Sequence, residues 1–352
     1  MLTLETAVAG VLLVALTIYA LLGGADFGGG VWDLFALGPR AQQQRDLIAH
    51  AIGPIWEANH VWLIVVIVVL FTAFPSAFSV IMTALFVPLM LMLLGIMLRG
   101  AMFAFRSYAP PAHQARWGAI FAIASVITPI MLGISAGTLA TGRITVEDGI
   151  VTSSPFGVWM SPLPLAVGVL TLALFAYLAA VYLTIETEDP HIRDDFRKRA
   201  LITAVVLEAV EIVTFLLLGS EAPRILEGLS KSVWAGPMHA AGVVASVGAI
   251  WALWTRRFYL ARLFAMLQVV IILWGWGAAQ YPYFIEPSIT VQEAAAPAIT
   301  LRIALTALGI GSIFLLPAIY YLFRIFKGGR TTSPFGGGIK DLMTQAAAAP
   351  ND

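Results

Sequence analysis

The chain has 352 residues, of which 60% are hydrophobic and only 11% charged, with 20 basic and 20 acidic side chains and a net charge of zero. That composition excludes an ordinary soluble domain, and the neutral balance gives no basic surface for nucleic acid. There is no cysteine, which excludes disulfides, thiolate metal sites and thiol redox chemistry.

Apolar runs long enough to cross a bilayer recur from end to end and predict an all-α polytopic membrane protein. Nine spans are expected, at 6–36, 50–74, 77–105, 117–141, 159–185, 199–219, 236–255, 258–281 and 299–326. Residues 1–39 contain no Lys or Arg, so the first run lacks the basic leader of a signal peptide and is expected to persist as a helix. It exceeds the ~20 residues a bilayer needs, so it tilts or projects.

Within that first span, LLGGADFGGGVWDL (21–34) sets Asp26 among five glycines. Ionisable groups in hydrocarbon are costly and are kept mostly where they face protein or a water-filled path. One reading is that the missing side chains let water or a partner backbone reach the acid; the other is that Asp26 caps an irregular helix end while Gly24, Gly28 and Gly29 pack against neighbours. The second span, AIGPIWEANHVWLI (51–64), carries Glu57 one turn after Pro54, with His60 three residues on and on the same face. Asp26 lies ~30 Å along its helix at ~1.5 Å per residue, so it and Glu57 are expected at similar depth in neighbouring antiparallel helices.

The loop IETEDPHIRDDFRKRA (185–200) mixes both charges and divides the chain into an N-terminal bundle at 1–185 and a C-terminal bundle at 186–327, followed by a tail at 328–352 expected to be disordered. In the sixth span, VVLEAVEIVTF places Glu208 and Glu211 one turn apart. Two acids that close do not readily ionise together in an apolar setting, which leaves structural pairing and a protonatable role both open. His239, at the start of the seventh span, reads as a satisfied interfacial histidine; His113 and His191 fall in loops. His50 and His60 are ~15 Å apart along one segment, too far to share an iron. Of the 20 Lys and Arg, 16 fall on one side of the expected topology and only Arg143, Arg224, Lys231 and Arg302 on the other. That bias predicts an external N-terminus and a cytoplasmic C-terminus.

Four stretches together, ALLGGADFGGGVWDL at 20–34, IGPIWEANHVWLI at 52–64, LRGAMFAFRSY at 98–108 and WGWGAAQYPYFIEPSITV at 274–291, resemble subunit II of the cytochrome bd-type ubiquinol oxidases. The resemblance is dense over about the first 110 residues and the eighth span with its outer loop, and elsewhere rests on length and topology. It implies two four-helix bundles plus a peripheral helix in the prokaryotic cell membrane, paired with a similarly folded, haem-bearing subunit I. In that family subunit I holds the b- and d-type haems and the quinol site and reduces oxygen to water, so no cofactor is expected on this chain alone, although its apolar helices leave room for a structural quinone. Small single-helix subunits and membrane lipid are further expected partners; nucleic acid is not.

The resemblance also implies a share in a cytoplasmic proton-uptake path, with Asp26 and Glu57 matching the family's carboxylate positions; His60 joins them by its place on the face of Glu57, and Glu208 and Glu211, which match no family position, are weaker candidates from their placement in the sixth span alone. Two departures stand out: the family commonly has aspartate where this chain has Glu57, and some members carry a carboxylate where this chain has Ala104. Two other functions fit a polytopic chain with intramembrane acids. An ion-coupled secondary transporter would place such acids at broken helices near the midplane, with paired interruptions in two halves that are not found here. An assembly scaffold would use the acids only for contacts between subunits.

Overall fold

The computed structural model describes residues 3–53 and 55–327; the expected tail at 328–352 lies outside them. Among the described residues nine helices are long and apolar enough to cross a membrane. In chain order the helices are α1 (Leu4–Leu34), α2 (Ala41–Ile52), α3 (Trp56–Ala73), α4 (Pro75–Ala84), α5 (Phe86–Tyr108), α6 (Pro111–Thr138), α7 (Pro162–Leu183), α8 (Pro190–Glu221), α9 (Pro223–Lys231), α10 (Ala235–Trp254), α11 (Phe258–Gln280), α12 (Val291–Ala294) and α13 (Ala298–Lys327). Two short hairpins interrupt them: β1 (Val146–Glu147) with β2 (Ile150–Val151), and β3 (Tyr283–Ile285) with β4 (Ile289–Thr290).

Local chemistry sets many of these boundaries. Helices α4, α6, α7, α8 and α9 each begin with proline, whose missing N–H costs nothing in the first turn and whose fixed φ suits a helix start. The β1–β2 turn is Asp148-Gly149, both at positive φ, as a two-residue hairpin loop requires.

Three expected spans are redrawn. The span expected at 50–74 begins only at Trp56, because residues 50–52 belong to α2, which ends at Ile52, and the sequence then carries a proline, a residue that cannot continue a helix ladder. The span at 77–105 is two helices, with α4 ending at Ala84 and α5 starting at Phe86. The sixth helix starts nine residues earlier than expected, at Pro190, because the Asp189 carboxylate accepts hydrogen bonds from the amides of His191 and Ile192 and caps the charged segment.

Helix α7 is central. It packs on α1, α6 and α8 and also reaches α11, and every residue from Ala173 to Leu183 except Tyr182 is buried. Ionic clamps join the connections at either end. Where α1 starts, Arg224 pairs with Glu286, donates to the Tyr281 carbonyl at 2.9 Å and lies over the Tyr283 ring, while the Glu286 amide donates to Leu139 O. At the opposite end, Arg40 grips Asp195 with two bonds, at 2.6 and 2.8 Å, and Arg199 reaches Gln44 and the Phe35 carbonyl.

Candidate functional site

The glycine run of α1 is a surface for close helix approach. A Cβ built on Gly28 would overlap the Phe175 carbonyl of α7, one on Gly24 would meet the Phe175 ring, one on Gly29 would meet Ile52 of α2, and one on Gly30 would overlap Ser125 of α6. Three neighbouring helices therefore close on one stretch of α1. This enclosure buries Asp26 to 4% exposure.

Enclosed, the Asp26 carboxylate accepts a 2.7 Å hydrogen bond from Asn59 Nδ2 of α3. A cavity of about 60 Å³ borders both residues and is also lined by Tyr182, Glu186 and Arg262. That is room for a few water molecules, with polar groups to hold them. On the other side lies Arg99 of α5, only 2% exposed, its guanidinium 4.8 Å from the Phe27 ring centre and 5.3 Å from that of Phe121. Its charge acts on Asp26, Tyr19 and His60. A buried arginine is costly unless compensated, and Asp26 supplies the opposite charge.

His60 completes the group. Its Nδ1 lies 3.5 Å from the Tyr19 hydroxyl and its ring is surrounded by Tyr19, Phe27 and Trp56. Asn59 Oδ1, His60 Nε2 and Arg99 Nε and Nη2 are buried with no protein hydrogen-bond partner, and groups of this kind are normally satisfied by ordered water. Glu57 is not enclosed with them. It is exposed, and two residues of helix turn it ~200° from Asn59. Ala104 is likewise exposed.

Arg99 is the residue that sequence reasoning passes over, because it counts there among the basic residues that flank spans. The signal that could have found it is its depth: it lies two turns before Arg106, well inside an apolar helix. Arg106 itself pairs with Asp33 at the end of α1, at 2.9 Å, with Asp33 buried.

Glu208 and Glu211 occupy separate ground. Both accept from Gln268 Nε2 of α11, at 2.9 and 3.3 Å, and Ser246 of α10 donates to Glu208. They line a mostly apolar cavity of about 380 Å³ that also reaches His239 and Trp276.

The histidines are scattered. His50, His113, His191 and His239 are exposed, and His239 Nε2 lies 2.8 Å from the Leu229 carbonyl.

Among the described residues, nine membrane-length helices enclosing a buried acid, amide and guanidinium, with an imidazole beside them, define a polytopic helical membrane protein with a polar cluster inside it. The family model for cytochrome bd terminal oxidase subunit II matches residues 4–326, and this chain belongs to that family. It is thus part of an oxidoreductase complex. It is 25% identical over 321 residues to the putative cytochrome bd menaquinol oxidase subunit II of Bacillus subtilis (strain 168), covering 88% of this chain and 91% of that one. To the cytochrome bd-I ubiquinol oxidase subunit 2 of Escherichia coli (strain K12) it is 27% identical over 323 residues, 81% of each chain. The fold matches a chain in the structure of bd oxidase from Geobacillus thermodenitrificans with a TM-score of 0.79 at 22% identity, covering 93% of this chain and all of that one.

Proposed function

We propose that this chain is the haem-free subunit II that supports a haem-bearing subunit I in oxidising quinol and reducing oxygen to water, and that Asp26 is the buried stage of a proton-uptake path from the cytoplasm. The orientation in this reading, N-terminus outside and C-terminus inside, rests on the 16-to-4 division of Lys and Arg. A membrane partner is supported by α13, whose most apolar stretch is left uncovered by the rest of the chain.

The single observation that carries the proton role is the Asp26–Asn59 bond beside the small polar cavity. A carboxyl oxygen there takes a proton from cavity water and releases it towards the group formed by Arg99, Tyr19 and His60. Asn59 holds the carboxylate in one rotamer, and Arg99 balances its charge between transfers. Glu57, exposed at the start of α3, stands at the mouth of the path, where bulk water shares its task. Glu208 and Glu211 form a second protonatable pair outside this route. The 380 Å³ apolar cavity has room for part of a structural quinone.

The test is oxygen consumption with excess quinol, measured beside haem content, in the assembled complex carrying Asp26→Asn. The substitution keeps size and hydrogen bonding but removes the titration. Full haem content with turnover lowered about a hundredfold supports the reading; full haem content with wild-type turnover refutes it.

A further inference from the structure

The turn between α10 and α11 closes in an unusual way. The Arg257 amide donates to Ala252 O at 2.7 Å and the Arg256 amide to Leu253 O at 3.3 Å, the paired bonds of a Schellman ending. In that motif the residue at the left-handed position is usually glycine, because a side chain there is strained. Here it is Arg256, at φ 60°. A costly residue at an exposed turn calls for a use of its side chain.

What surrounds Arg256 is an excess of positive charge. Arg197, Lys198 and Arg256 all place a nitrogen 3.2 Å from the same carboxylate, so three cations share Asp194. Arg197 also donates to Leu253 O and Trp254 O, which fastens α8 to the end of α10. Arg257, exposed, lies 5.0 Å from the centre of the Trp251 ring and adds a further charge. The cations are flanked by large exposed aromatics, with Trp254 71% and Tyr259 77% exposed. All of this falls where two membrane-length helices end, at the level of lipid headgroups, where aromatic rings of this kind anchor.

We propose that this turn, with Arg197 and Lys198 of α8, is a binding site for the phosphate headgroup of an anionic phospholipid. The guanidinium of Arg256 and the ammonium of Lys198 are 61% and 65% exposed, free to close on a phosphate while keeping Asp194 as a common hinge. Trp254 and Tyr259 cover the first segment of the acyl chains. Basic pockets of this kind between membrane helices hold anionic lipid heads, whereas a zwitterionic head brings its own ammonium into repulsion with the cluster. The site is independent of the proton path and of the direction of insertion.

The experiment uses the intact complex, delipidated and then exposed to phosphatidylglycerol, phosphatidylcholine or inorganic phosphate, with retained lipid counted by native mass spectrometry. Wild type is expected to retain phosphatidylglycerol about tenfold better than phosphatidylcholine. The variant Arg256→Gly relieves the backbone, so a purely structural turn would be left as stable or more so and equally retentive; the proposal expects it to fold normally yet lose most of the preference, and Arg256→Gly with Arg257→Gln to lose all of it. Equal retention by wild type and the double variant overturns the proposal. So does full competition by millimolar inorganic phosphate, which would make the site one for the free ion, and so does a wild type with no preference because the partner subunit covers the turn.

Discussion

Asp26 and the Glu208–Glu211 pair are both acids on membrane-length helices, yet their surroundings differ in kind. Asp26 is almost fully enclosed, bonded to Asn59, within reach of the buried Arg99 charge and beside a cavity sized for a few waters. The glutamates are half-buried, bonded to the neutral donors Gln268 and Ser246, and border a cavity about six times larger with no Lys or Arg in its lining. A counter-charge together with a water-sized space is the setting on which the proposed proton role of Asp26 rests. The glutamates have neutral donors beside a mostly apolar cavity and lie outside the proposed route, and on that difference the proposal gives the proton role to the first site alone.

The comparison is broken most severely at the glycines that create the first enclosure. Gly28→Leu places a side chain against backbone of α7, which cannot rotate away, and is expected to destabilise the chain by about 3 kcal/mol or more. Little haem-containing complex should then be recovered from membranes. Gly10→Ala on the same helix, where an added Cβ meets nothing within 4 Å, should be recovered at the wild-type level.

Removing the counter-charge comes next. Arg99→Met removes the buried cation whose charge acts on Asp26 and is expected to lower the stability of the complex by about 1–3 kcal/mol. Thermal denaturation of the complex should show the lower transition, with turnover reduced in the fraction that assembles. The second site responds far less: Glu208→Gln with Glu211→Gln keeps hydrogen-bonding side chains at both positions, and quinol-driven oxygen consumption should stay within about twofold of wild type, equivalent to ~0.4 kcal/mol of barrier. A large loss there would reverse the ranking of the two sites. The smallest effect is expected from Glu57→Gln, an exposed substitution that should shift stability by no more than about 0.5 kcal/mol and turnover only slightly, read from melting and oxygen consumption together.

Much of this architecture is legible in the sequence. Nine apolar runs predict nine spans, and an acid inside an apolar run marks Asp26, because hydropathy and charge act within a single segment. What depends on contact between segments is not legible there. The glycines suggest either access or packing, and only the positions of Phe175, Ile52 and Ser125 show which neighbours close on them. Arg99 looks like any arginine near a span end until Phe27 and Phe121 are brought to its two sides. Equal depth along two helices puts Glu57 and Asp26 together, but depth says nothing of the direction a side chain points, and on α3 it is Asn59 that faces the acid. The break before Trp56 and the early start at Pro190 escape a hydropathy reading because hydrophobicity marks where a helix lies in lipid, whereas proline and an aspartate cap decide where it begins.

The central claim, that protons pass through the Asp26 carboxyl, is tested most directly by timing proton uptake rather than turnover. The reduced complex, reconstituted in vesicles with a pH-sensitive dye on the cytoplasmic side, is mixed with oxygen, and haem oxidation and proton uptake are followed together. In wild type the two should proceed in step. With Asp26→Asn the account predicts that the proton signal falls behind by about a hundredfold while the haem spectrum before mixing is unchanged. Uptake at the wild-type rate in a fully assembled Asp26→Asn complex would contradict it.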